Sequence, residues 1–208
     1  MKKKHPREKS ASPALIGWGM PCLLAVVVAA FLVEVAVAAP GNPERLLRLG
    51  ALPAWGRLQG QYWRLFTFGL LHWDLLHCAE NSVCLLLAGA IVERRLGAGR
   101  LIGLFFLASV ASGLAILGKT IFFPTTGVSV GASGGTFGLM GAAAVLLERV
   151  PATIPWVRFL LWLALTLGIV LSFLPDISLA GHIAGLLVGV PLGWLASVPS
   201  VGPPPEPS

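Results

Sequence analysis

His77 and Asn81 stand four residues apart, Ser133 lies inside Gly131-Ala132-Ser133-Gly134-Gly135, and His182 lies inside Ala180-Gly181-His182-Ile183-Ala184-Gly185. A hydroxyl, an imidazole and further side-chain donors are the parts that acyl transfer requires: nucleophile, general base and stabilisers of a developing oxyanion. All four fall in apolar stretches, where a polar side chain is expensive and is a functional hypothesis by default. Ser133 would be the nucleophile and His182 the base. His77 and Asn81 would be oxyanion donors, joined by the Ser133 backbone N–H at a helix start, where free amides and the dipole favour an anion. No Asp or Glu falls on that layer of the same helices, so the pattern points to a Ser-His dyad rather than a triad. Taken singly, each residue has a plainer explanation. A serine in a glycine-rich turn is commonly a helix N-cap, and an intramembrane histidine can bond a carbonyl or a metal. A zinc site built from His72, His77 and His182 would lack both an HExxH pair and a placed acidic ligand, so no metal or other cofactor is expected. Glu34 and Asp74 read as interfacial or bundle-bonded groups.

The elements that must position these groups are membrane helices. Of 208 residues 56% are apolar and 12% charged, against about 45–50% and about 25% in soluble domains. The apolar residues form long blocks, which excludes disorder, a disulfide scaffold and, lacking a dyad period, a membrane barrel. Six blocks of about the length a spanning helix needs lie near residues 14–39, 70–92, 101–123, 132–147, 154–174 and 179–198. The expected fold is therefore all-α and polytopic, with six transmembrane helices over residues 14–198. The first block is longer than a signal-peptide core and carries Glu34 near its end, so it is expected to be a retained span. Residues 1–13 form a basic tail and residues 199–208 a Pro-rich tail expected to be disordered. The long connection after the first block is expected to pack as a compact loop, and ERRLGAGR at 93–100 to form a tight turn.

Five of the fifteen basic residues lie in the first nine positions, so the net charge of +6 reads as membrane topology and no nucleic-acid partner is expected. With six spans and an inside N-terminus, ten Lys and Arg fall on the inner side and five on the outer. That bias places both termini in the cytoplasm. The second, fourth and sixth helices then all begin near the outer leaflet, which brings His77, Asn81, Ser133 and His182 to one depth. Gly181, Gly185, Gly189 and Gly193 recur every four residues, and Gly134, Gly138 and Gly141 line the fourth helix. Such small-residue faces allow the close approach that would bring serine and histidine together. Cys22, Cys78 and Cys84 read as packing thiols, and the seven Trp mostly as interface anchors.

From about Trp63 to Gly193 the chain resembles the rhomboid family of intramembrane serine proteases. Trp63-Arg64 with Phe66-Thr67, His72, and His77 spaced to Asn81 resemble the family's first loop and second helix. Glu93-Arg94-Arg95-Leu96-Gly97 looks like its turn after that helix. GASGGTFGLMGA at 131–142 is similar to its GxSG nucleophile motif, and GHIAGLLVG at 181–189 to its His-bearing sixth helix. Two positions depart from the pattern: Gly181 where Ala is frequent, and Gly135 where a larger residue is common. The resemblance implies a six-helix rhomboid core with Ser133 as nucleophile, His182 as general base, His77 and Asn81 as oxyanion donors, and Arg64 helping to hold the long first loop. It implies substrates that are single-span membrane proteins, entering past the second and fifth helices in a lipid bilayer; the short chain and the absence of a transit peptide make a bacterial plasma membrane the expected home. Other readings are a non-catalytic rhomboid-like protein that binds membrane helices, a rhombosortase that processes C-terminal sorting tails, and a small transporter. Oligomeric state is not legible in the sequence.

Overall fold

The computed structural model describes residues 17–54, 58–124, 126–148 and 155–197. The two expected tails, at 1–13 and 199–208, lie outside them. Six long helices occupy the six apolar blocks: α1 (Gly19–Ala36), α4 (Leu75–Leu96), α5 (Ala98–Phe122), α6 (Ser133–Glu148), α7 (Pro155–Leu171) and α8 (Leu179–Ser197). Four of them, α1, α4, α5 and α8, have at least 18 residues and the hydropathy of a spanning helix. The chain is thus a polytopic helical membrane protein. Two short helices, α2 (Pro43–Leu49) and α3 (Arg64–Thr67), lie in the long connection after α1.

In α1 one narrow stripe is buried, Leu23, Val27, Phe31 and Glu34, while Val26, Val28, Leu32, Val33 and Val35 face outward. Residues three and four apart share a helix face, so the stripe packs on the bundle and the remainder suits lipid. Both ends of α1 are held by carboxylates. Glu93, at the far end of α4, accepts the Gly19 N–H at 2.6 Å and the Met20 N–H at 2.9 Å. These are amides that a helix start leaves unpaired. At the other end Glu34 accepts the His72 N–H at 3.0 and 3.2 Å. Glu34 is fully buried, so of the two readings open for it the structure selects the bundle-bonded one.

The connection after α1 is compact. Asn42 caps α2 by accepting the Arg45 N–H, and Gly50 ends that helix with φ +118°. Arg64 Nη1 donates to the carbonyls of Leu47 and Ala51 at 2.6 and 2.9 Å, while its Nε donates to Gln61. Strand β1 (Leu52–Pro53) pairs antiparallel with β2 (Val128–Ser129), Leu52 opposite Ser129. This two-residue ladder, an addition to the all-α expectation, fastens the first loop to the segment leading into Ser133.

Two boundaries on either side of α4 differ from expectation. The second helix starts at Leu75, not near residue 70, because Phe68–Leu70 form a 3-10 turn and Asp74 caps α4 by accepting the His77 N–H at 2.8 Å. The turn expected at 93–100 shrinks to Gly97, with φ +83°, since α4 runs to Leu96 and α5 starts at Ala98.

Helix α6 is the centre of the bundle, with all its residues buried except Ser133, Val145 and Glu148. Its sixteen residues rise about 24 Å, short of the roughly 30 Å of bilayer hydrocarbon. A Cβ built on Gly185 would strike the Gly134 carbonyl, and one on Gly189 the Gly138 carbonyl. The backbones of α6 and α8 are therefore in direct contact, as small-residue seams permit.

Candidate active site

Ser133 is the first residue of α6 and is half-buried. The segment before it is tied down from three directions. Gly131 N–H donates to the Phe68 carbonyl at 3.0 Å, Ala132 N–H to His72 Nε2 at 3.5 Å, and β2 pairs with β1. Gly131 has φ +136°, a conformation that glycine adopts without strain. The absent side chain also matters: a Cβ there would lie 2.7–2.9 Å from the His77 ring and 3.6 Å from Ser133 Oγ. One small space is thus bounded by the Nε2 edge of His77, the Gly131 backbone and the serine hydroxyl.

His77 projects from the first turn of α4, whose start Asp74 fixes. Its Nδ1 receives the Trp73 N–H at 3.5 Å, so in the neutral ring the hydrogen resides on Nε2, at the edge facing Gly131. Asn81, one turn further along, is buried. Its Nδ2 donates to the His77 carbonyl at 2.9 Å, and its Oδ1 lies 3.4 Å from Thr136 Oγ1, whose hydroxyl is also 3.0 Å from the Ser133 carbonyl. Because the amide nitrogen carries two hydrogens, one donor remains beyond the bond to His77.

His182 lies in the first turn of α8, buried at 7% exposure. Its ring is stacked on Phe137, centroids 4.1 Å apart and planes 8° from parallel. Phe137 stands four residues after Ser133, so the ring that supports His182 belongs to the helix that starts with the serine. Flanking residues meet as well: Ser112 of α5 lies against both Gly134 and Gly181, the neighbours of Ser133 and His182. No hydrogen bond joins Ser133 Oγ to His182 among the described residues. Catalytic hydrogen bonds often close only once substrate is bound.

Several contributors escaped the sequence reading. His72, considered there as a zinc ligand and as part of a motif, is fully buried in the turn before α4 and accepts from Ala132. Burial, helped by the neighbouring His77, pushes its pKa down to about 3 against smaller opposing effects from the Leu70 backbone and Asp74. It is a neutral support for the nucleophile loop. Thr136 and Phe137, three and four residues past Ser133, were signalled only by helical spacing, and Ser172, which meets His182, had no signal at all. Among the described residues no three His, Cys, Asp or Glu side chains converge as metal ligands.

Comparison with known proteins agrees with this architecture. The Rhomboid domain model matches residues 59–199, from the loop before α3 to the end of α8. Over 164 residues the chain is 30% identical to the Rhomboid protease GluP of Bacillus subtilis (strain 168), a match that covers 77% of this chain and 31% of that protein. The chain therefore aligns with less than a third of that relative's length.

Proposed function

Because the chain belongs to the rhomboid family, we propose that it is an intramembrane serine endopeptidase that hydrolyses peptide bonds in or near the transmembrane segments of other proteins, with residues 14–198 as its protease domain. The observation that carries this reading is the space at Gly131, which Ser133 Oγ and the His77 ring both border. It offers a carbonyl group a nucleophile on one side and N–H donors on the other.

In this mechanism His182 Nε2 takes the Ser133 proton as Oγ bonds to the substrate carbonyl carbon. The oxyanion is held by His77 Nε2–H, the free N–H of Asn81 and the Ser133 amide. His182 then gives the proton to the leaving amine as the C–N bond breaks, and water repeats the sequence to release the acyl group. A helical amide is hydrogen-bonded within its own turn, so the substrate unwinds locally before attack. Single-span proteins are the substrates, reaching Ser133 sideways past α4 and α7. The protein sits in a bacterial plasma membrane with both termini in the cytoplasm.

Labelling by a fluorophosphonate probe in detergent tests the dyad. Wild type should label, and Ser133→Ala and His182→Ala should not, while Ser133→Ala keeps the wild-type thermal unfolding midpoint and His182→Ala, which loses a buried ring, still unfolds in one cooperative transition. A folded wild type that fails to label would favour the non-catalytic helix-binding reading.

A further inference from the structure

Ser172 stands just beyond the C-terminal end of α7 and is buried at 3% exposure. Its Oγ has two close polar neighbours, the Gly168 carbonyl oxygen at 2.6 Å and His182 Nδ1 at 2.6 Å. A hydroxyl has one hydrogen, and a carbonyl oxygen can only accept. The hydrogen therefore goes to Gly168, and the bond to the ring must be donated by Nδ1–H. The reverse assignment would leave two oxygens facing each other at 2.6 Å with no hydrogen between them. In the neutral ring this places the lone pair on Nε2.

We propose that Ser172 is a positioning residue for the hydrolysis: it holds His182 in the one tautomer and ring orientation that leaves Nε2 free to take the Ser133 proton. This rests on the reading of His182 as general base.

Two constraints on the ring divide the work. The Phe137 stack fixes the plane of the imidazole but is indifferent to a half-turn that exchanges its two edges. The hydrogen bond to Ser172 distinguishes the edges and removes that freedom. The same turn of α7 serves both, because Phe137 lies against Gly168, where a Cβ would fall 2.5 Å from its ring, and the Gly168 carbonyl orients the Ser172 hydroxyl. Ser-His-Asp triads give the orienting task to a carboxylate. A neutral hydroxyl does it here without placing a further charge within the membrane. Nδ1–H stays on Ser172 throughout the reaction while the transferred proton moves only through Nε2.

The test uses the full-length protein in detergent as wild type, Ser172→Ala and Ser172→Thr. Three properties are measured: the rate of fluorophosphonate labelling at Ser133, kcat and KM on a transmembrane substrate, and the ¹⁵N spectrum of ring-labelled histidine. Partners that orient a metal-bound imidazole through its second nitrogen typically contribute about 10–100-fold, and the same orienting task is assigned to Ser172 here. Ser172→Ala should therefore lower labelling and kcat by about that factor with KM unchanged. The His182 resonances should move from a single Nδ1–H tautomer to a mixture, and Ser172→Thr should recover most of the rate. A labelled wild type whose Ser172→Ala variant labels equally fast overturns the role of Ser172 alone. A loss of rate with the tautomer unchanged and no recovery in Ser172→Thr marks a merely structural serine and overturns it as well. A folded wild type that never labels overturns the hydrolase reading, and the positioning role with it.

Discussion

His77 meets the space at Gly131 through Nε2 and receives the Trp73 amide on Nδ1, so its orientation is settled before any substrate arrives. Removing one oxyanion donor typically costs about 10²–10³ in kcat. His77→Ala should lose that much in turnover of a transmembrane substrate while KM changes little. Asn81→Ala should lose less, because one of its N–H groups is already committed to the His77 carbonyl. His72 supports a prediction of a different kind. Its pKa falls from 6.5 in the unfolded chain to about 3 in the folded one, so below pH 6.5 the unfolded state binds the extra proton and folding stability declines with it. The stabilisation from a neutral His72 is complete above pH 6.5 and is lost as pH falls toward 3. On acidification between pH 7.5 and 4, the thermal unfolding midpoint in detergent should fall less in His72→Asn than in the wild type. An equally steep decline in the variant would assign the effect to another group.

Among the helices, α6 and α8 meet backbone to backbone at Gly134–Gly185 and Gly138–Gly189, and glycines on the same bundle differ sharply in what they tolerate. Gly189→Ala would drive a methyl into the Gly138 carbonyl. Backbone cannot swing aside as a side chain does, so the cost should reach or exceed the roughly 1–3 kcal/mol of ordinary overpacking. Gly103, in the outward face of α5, has open space around its Cβ position. Gly103→Ala should be neutral or stabilising by about 0.5–1 kcal/mol. Unfolding midpoints of the two variants check the contrast. The α6–α8 seam was legible in the sequence because its glycines recur every four residues, and the six helices because their apolar blocks are long. The start of α4 was not legible: Leu70 and Leu71 continue the apolar run into a turn, so hydropathy shows no break before Asp74. Ser172 escaped notice because its partner lies on another helix, and a serine at a helix end looks like any other.

For the molecule as a whole, orientation rests on the distribution of basic residues. Arg94, Arg95 and Arg100 are exposed around Gly97, and Lys119 is exposed near the other end of α5. Single cysteines placed at Arg95 and Lys119 in a variant lacking Cys22, Cys78 and Cys84 should react in opposite ways with a membrane-impermeant maleimide on intact cells. Lys119→Cys should label and Arg95→Cys should not; the opposite result would invert the assignment.

The carboxylate at each end of α1 also has a consequence for how the protein is made. Glu34 is translated 38 residues before the His72 amide it accepts, and the amides of Gly19 and Met20 more than 70 residues before Glu93. Helix α1 therefore leaves the ribosome well before either of the groups that hold its ends. It has to wait in the translocon or in lipid with its buried stripe uncovered until the far end of α4 has been synthesised.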